Sequence, residues 1–178
     1  MKALLVYNPY AGHHRANKLL PQVKSYLHQK GIEFELKLTV FSGHCVDLVR
    51  AADFSQYDGI IAAGGDGTLF EAVNGYFHNQ SSQRIPIGIL PIGTGNAVAR
   101  DLNLTASQWQ DAINLISSNQ LKKIDVGLFH TNGQDFYYLN ILGLGFVADV
   151  TETAHKLKIF GNLSYTLGVF YQTILLNS

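Results

Sequence analysis

The chain has almost no cysteine, no apolar run long enough to cross a bilayer and no excess of either charge. One cysteine, Cys45, in 178 residues excludes an internal disulfide and fits a reducing compartment. Lys plus Arg and Asp plus Glu each count 13, so no global field draws the chain to nucleic acid or acidic lipid, and any anion site must be local. The longest apolar stretch, Leu163–Leu176, is interrupted by Ser164, Thr166 and Gln172 and falls short of the ~20 residues a transmembrane helix needs. It predicts a buried or interfacial helix, with no transmembrane anchor. The opening KALLVYNPYAG is too short in its apolar part and wrongly flanked for a secretory signal. A cytoplasmic protein is expected.

Several chemistries are missing as well. The histidines form no metal box, because His13-His14 and His44-Cys45 are adjacent pairs that cannot both face one ion from a helix. There is no G-x-S-x-G nucleophile elbow and no G-x-x-x-x-G-K-[ST] P-loop. Cys45 has no evident base partner, so covalent catalysis has no support.

What is present is a core-forming composition, 47% hydrophobic and 15% charged, in a chain long enough to bury about 70% of its unfolded surface. Branched apolar runs alternate with helix-period segments. Strands are predicted at Lys2–Tyr7, Glu33–Val40, Gly59–Ala63 and Pro86–Leu90. Helices are predicted at Arg15–Lys30, His44–Ala52, Thr68–Phe77, a short one from Gly95, and Trp109–Ser117. This order predicts an α/β fold, a mostly parallel sheet with helices on both faces. After Leu121 the pattern changes: KKIDVGLFH and DFYYLNIL flank Thr131-Asn132-Gly133-Gln134, and Asn-Gly is a strong hairpin signal. Two domains are therefore expected, residues 1–123 and the start of a β-rich one at 124–178. Nothing after the hairpin closes a second sheet, so the missing strands come from elsewhere or the sequence is a fragment.

The most informative segment is Gly64-Gly65-Asp66-Gly67-Thr68-Leu69-Phe70-Glu71, between a buried strand and a helix. Glycines let the backbone turn sharply and approach a ligand, and the free N–H groups at a helix start favour phosphate. Asp66 would repel phosphate unless Mg²⁺ lies between them, which suggests a metal–nucleotide complex reached directly or through water. Gly67 is expected at φ > 0, and removing the Asp66 carboxylate is expected to spare the fold. The competing reading is a capping box, T-x-x-E, from Thr68 to Glu71; it leaves an acid among three glycines unexplained. A second glycine turn, Pro91-Ile92-Gly93-Thr94-Gly95-Asn96, follows the next strand, with a Thr94 helix cap as its plain alternative. A third, Asn8-Pro9-Tyr10-Ala11-Gly12, ends the first strand. Glycine turns at the carboxyl ends of neighbouring parallel strands make a ligand crevice. Gly143-Leu144-Gly145-Phe146-Val147-Ala148 matches a looser dinucleotide form, but no strand ending in an acid follows ~20 residues later.

At these residues the chain resembles the diacylglycerol kinase catalytic-domain family, which takes in bacterial lipid kinases and the sphingosine kinases. The likeness runs through Asn8–Gly12, Thr39 with Gly43-His44, GGDGTLFEAVNG at Gly64–Gly75, LPIGTGN at Leu90–Asn96, DVG at Asp125–Gly127 and LNILGLGF at Leu139–Phe146. GGDGT alone is shared with NAD kinases and 6-phosphofructokinases; its combination with the other two turns is specific. The resemblance implies ATP and Mg²⁺ held between two domains and phosphoryl transfer to a lipid hydroxyl at a membrane surface, by a cytoplasmic protein that binds the inner membrane peripherally. It implies nucleotide contacts from Asn8, Pro9, Tyr10, Ala11, Gly12, Thr39, Gly65, Asp66, Gly67, Thr68, Leu69, Phe70, Glu71 and Thr94. Asp66 would join the metal–water network, with Asp125 as a supporting carboxylate. The family places its catalytic base in later β structure, beyond Ser178, so the 178-residue chain alone is expected to lack turnover. Ala97 stands where diacylglycerol kinase-like members commonly have Asp. An NAD kinase-like enzyme, set back by the absence of Asn-Thr-Asp, and a non-catalytic nucleotide-binding module stay open. The exposed hairpin edge suggests homo-oligomer formation.

Overall fold

The computed structural model describes residues 1–139, and Met1–Asn140 form one compact unit. The G-x-G-x-x-A run at 143–148, the apolar helix expected at 163–176 and the end of the second hairpin strand lie outside the described residues. The elements are β1 (Lys2–Tyr7), α1 (Arg15–Gln29), β2 (Glu33–Leu38), α2 (His44–Arg50), a 3-10 turn (Phe54–Gln56), β3 (Gly59–Gly64), α3 (Asp66–Phe77), β4 (Ile87–Pro91), α4 (Ala97–Asp101), α5 (Trp109–Ser117), β5 (Gly127–Thr131) and β6 (Gln134–Tyr138).

β1 to β4 form one parallel sheet in the order β2-β1-β3-β4. The α/β architecture with helices on both faces is the one expected. Side chains of a strand alternate between faces, and β1 shows the result. Ala3, Leu5 and Tyr7 pack with Ala16, Val23 and Leu27 of α1 and with Ala112 and Ile113 of α5. Leu4 and Val6 pack with Cys45 and Val49 of α2 and with Leu69, Ala72 and Val73 of α3. β3 is buried along its whole length, as a uniformly apolar central strand should be. The Tyr7 hydroxyl, fully buried, donates to Ala16 O at 2.6 Å, and burial pushes its pKa up to about 12.

The first connection, through α1, carries the chain to one side of β1, and the next places β3 on the other side. The strand order therefore reverses between β1 and β3, the place in an open α/β sheet where ligands bind at the carboxyl ends of the strands. β5 and β6 form a separate antiparallel pair, with Asn132 (φ 50°) and Gly133 (φ 75°) at its tip. Two residues at positive φ are the turn that Asn-Gly favours between twisted strands. The first hairpin strand is shorter than its sequence suggests, because Leu121 to Asp125 are exposed and only the residues from Gly127 find a partner.

α2 has only 7 residues and is held at both ends by the α3 region. Glu71 accepts from the amides of Gly43 (2.9 Å) and Cys45 (3.2 Å) at its start. The Asn79 side chain donates toward the carbonyls of Val49, Arg50 and Ala52 at its end. The packing between is close: a Cβ on Gly75 would overlap Val46 O. No described helix is long and apolar enough to cross a membrane.

Candidate functional site

The three glycine turns follow β1, β3 and β4 and touch one another through backbone. A Cβ on Gly93 would overlap the Gly65 backbone, and one on Gly12 would overlap Ile92 O. These glycines are required by close approach, and Gly12 also by its φ of +61°. Ile92 N and Gly93 N both donate to Gly64 O, at 3.1 and 2.9 Å. Asn8 ties in the third turn: its amide nitrogen donates to Thr68 Oγ1 at 3.2 Å, while its oxygen accepts from Tyr10 N at 3.0 Å.

α3 starts at Asp66, with Gly65 extended before it, so Thr68 lies in the first helical turn and no T-x-x-E capping box forms. Glu71 reaches across to α2 instead. Gly67 is the second helical residue, has no positive φ, and faces open space where a Cβ would meet nothing within 4 Å. The expected left-handed conformation is therefore corrected: the helix begins two residues earlier than the sequence pattern indicates, and Gly67 takes helical angles. The amides of Asp66, Gly67 and Thr68 donate to no acceptor among the described residues. They are the orphan donors of a helix start, at the end where the dipole favours an anion.

Asp66 has two duties. Its Oδ1 accepts from Ala97 N at 2.6 Å and so caps α4 from a distance, while Oδ2 makes no hydrogen bond among the described residues and lies against Gly95, where a Cβ would overlap it. The carboxylate expected to be dispensable for the fold thus also carries a backbone hydrogen bond at the start of α4. α4 starts at Ala97 and takes no cap from the exposed Thr94. Asn96, at φ 57°, is 5% exposed and donates to Gly93 O at 2.7 Å; its Oδ1 is buried and has no partner among the described residues. Arg15 reaches Ile92 O at 3.4 Å across the turns. Neither Asn96 nor Arg15 is singled out by sequence. The glycine-asparagine run hints at the first, while nothing local marks the second.

The other expected contacts divide by exposure. Tyr10, Phe70 and Thr94 are exposed, Pro9 and Ala11 are half-buried, and Thr39 and Leu69 are buried. Thr39 N donates to Tyr7 O at 2.9 Å, just beyond the end of β2. Asp125 is exposed ahead of β5 and makes no hydrogen bond or ion pair among the described residues. Cys45 is buried, and burial, with the Glu71 charge beside it, pushes its thiol up to about 12. It is an inert core residue. Among the described residues no group of three or more His, Cys, Asp and Glu could hold a metal. Mg²⁺ commonly takes one carboxylate together with phosphate oxygens and water, and Asp66 Oδ2, without a hydrogen bond among the described residues and next to the orphan amides of α3, fits that donor set.

The chain is 34% identical over 168 residues to a diacylglycerol kinase of Bacillus subtilis (strain 168), covering 93% of this chain and 54% of the relative. It is 31% identical over 184 residues to sphingosine kinase 1 of Rattus norvegicus, covering 96% and 48%. A crystal structure of a diacylglycerol kinase from Bacillus anthracis str. Sterne superposes with a TM-score of 0.62 at 31% identity, over 76% of this chain and 47% of that one. The chain thus spans about half the length of these relatives. Residues 2–129, which contain all three turns, match the model of the diacylglycerol kinase catalytic domain, and the chain belongs to that family.

Proposed function

We propose that this protein transfers the γ-phosphoryl group of ATP to a lipid hydroxyl of the diacylglycerol or sphingoid-base type, and that residues 1–123 supply the nucleotide side of the reaction. The observation that carries this reading is the set of amides at Asp66, Gly67 and Thr68 that, like Oδ2 of Asp66, make no hydrogen bond among the described residues, where three glycine turns abut. Phosphate would lie on the amides, and the turn from Asn8 to Gly12 and exposed Thr94 would border it. Glu71 would act from behind by fixing α2, with Thr39 and Leu69 beneath. Mg²⁺, when bound, supplies charge neutralisation between the phosphates and Asp66, directly or through water. Asp125 is kept as a supporting carboxylate.

The acceptor side belongs to the residues from 124 onward and to structure beyond Ser178, where the general base is placed. A missing base costs about 10²–10⁴-fold, so the 178-residue chain binds nucleotide without appreciable turnover. Lipid reaches it from a membrane surface that the protein visits peripherally, with no polybasic patch to hold it there. The test is calorimetric titration of Mg-ATP, then radiolabelled phosphate transfer to diacylglycerol, to a sphingoid base and to NAD. Nucleotide binding by the 178-residue chain, with lipid labelling by the protein from its complete reading frame, is the expected result. Labelling of NAD alone, or no binding of Mg-ATP at all, would overturn the reading.

A further inference from the structure

Asn74 sits on the inner side of α3, 4% exposed, eight residues along the helix from Asp66. Its side chain bonds the backbone of one residue of the hairpin at both of its polar groups. The amide nitrogen donates to Tyr137 O at 2.9 Å, and the amide oxygen accepts from Tyr137 N at 2.9 Å. The nitrogen also donates to Phe70 O at 2.8 Å, one turn back on the same helix, which locks its orientation. A side-chain amide that exchanges both bonds with a peptide unit does what the next strand of a sheet would do. Among the described residues β5 is the only strand paired with β6, so Asn74 takes the place of a second pairing strand for Tyr137. The aromatic ring of Tyr137 is stacked on Phe77 at 4.3 Å and 15° and meets His78 edge-on at 5.7 Å.

We propose that Asn74 is a positioning residue that fixes the β5–β6 hairpin to α3 and thereby sets the distance between the substrate side of the protein and the phosphate cradle. α3 is a rigid ruler here: eight residues at 1.5 Å each separate Asp66 from Asn74 by about 12 Å along the axis. A small space beside Asp66 is lined by Phe70 and Val98 together with Tyr137 and Leu139 of the hairpin end. The hairpin therefore shapes the ground next to the cradle. Because the clamp grips backbone, it works whatever side chain stands at 137. The catalytic consequence rests on the phosphoryl-transfer reading above; the docking itself does not.

Hydrogen exchange on the 178-residue chain tests the docking. In the parent, the Asn74 carboxamide protons and the Tyr137 amide should be protected. Asn74→Ala should cut protection of Tyr137 and the β5–β6 amides at least tenfold, leave the β1 and β3 amides unchanged, and keep the Mg-ATP Kd within threefold. Tyr137→Leu should keep hairpin protection, because both clamp bonds survive; this variant, with the parent measurement, decides the matter if Asn74→Ala fails to fold. Unprotected carboxamide protons in the parent, an unchanged hairpin in Asn74→Ala, or loss of hairpin protection in Tyr137→Leu would overturn the clamp. In the protein from its complete reading frame, Asn74→Ala should lower kcat about 100-fold at unchanged KM for ATP, the effect of roughly 1 Å of misplacement. An unchanged kcat would remove the positioning role even with the clamp intact. Failure of Mg-ATP to bind the parent would count against the nucleotide reading alone.

Discussion

Gly67→Ala should make the protein more stable and a worse nucleotide binder at once. Gly67 has helical angles in the first turn of α3, and an added Cβ would meet no atom within 4 Å. Replacing glycine by alanine in a helix gains about 0.5–1 kcal/mol. For a chain of this size each kcal/mol moves Tm by roughly 2–4 °C, so a rise of about 1–4 °C is expected. The same methyl stands where the orphan amides would receive phosphate, and weakening of Mg-ATP by tenfold or more, about 1.4 kcal/mol, should follow. Gly93→Ala is the contrast, since its Cβ would overlap the Gly65 backbone. Overpacking of that kind costs about 1–3 kcal/mol, so both Tm and affinity should fall. Differential scanning calorimetry and isothermal titration on the three proteins separate the cases. A lower Tm for Gly67→Ala would refute the helical start at Asp66, and an unchanged Kd would refute phosphate at that start.

Asp66→Asn should keep the fold, because an amide oxygen still accepts from Ala97 N, while the Mg²⁺-dependent part of ATP affinity disappears in titrations with and without the metal. Asp66→Ala should in addition cost about 1 kcal/mol by uncapping α4, read as a lower urea midpoint. Glu71→Ala removes the acceptor for Gly43 N and Cys45 N, so it should destabilise by about 1–3 kcal/mol and speed thiol labelling of Cys45, with Glu71→Gln in between. Burial raises Cys45 from 9.0 and Tyr7 from 10.0, each to about 12. Both groups favour the neutral folded state, so their contribution is complete below about pH 9 and declines as pH rises toward 12; Cys45→Ala should flatten the urea-midpoint profile in that range, and an unchanged slope would contradict the assignment.

Much of the fold was legible because its signals are local. Gly59–Ala63 is apolar without a break, branched apolar runs alternate with helix-period segments, and Asn132-Gly133 marks a hairpin. The glycine turns could be located in the same way. What each acid does could not be read. Thr68 and Glu71 satisfy a local capping template, yet α3 starts at Asp66 and Glu71 caps a helix 28 residues earlier in the chain, at Gly43. Asp66 caps α4 across 31 residues. Asn74 is 63 residues from Tyr137, and no spacing rule connects them. A side chain whose partner arrives by tertiary packing leaves no period in the sequence, so these roles were legible only once the sheet had brought the turns together.

The two-ended capping of α2 has a kinetic meaning. A 7-residue helix is far below the ~12–15 residues that hold helical structure alone in water. Its start is satisfied by Glu71 and its end by Asn79, so α2 gains little until α3 has formed and docked. That order runs against the order of synthesis, since α2 leaves the ribosome before its caps do. The stretch from Gly43 to Ala52 should therefore lose its amide protection together with α3 rather than on its own, uncovering Cys45 and Val49 in the same opening, which hydrogen exchange with thiol labelling would read.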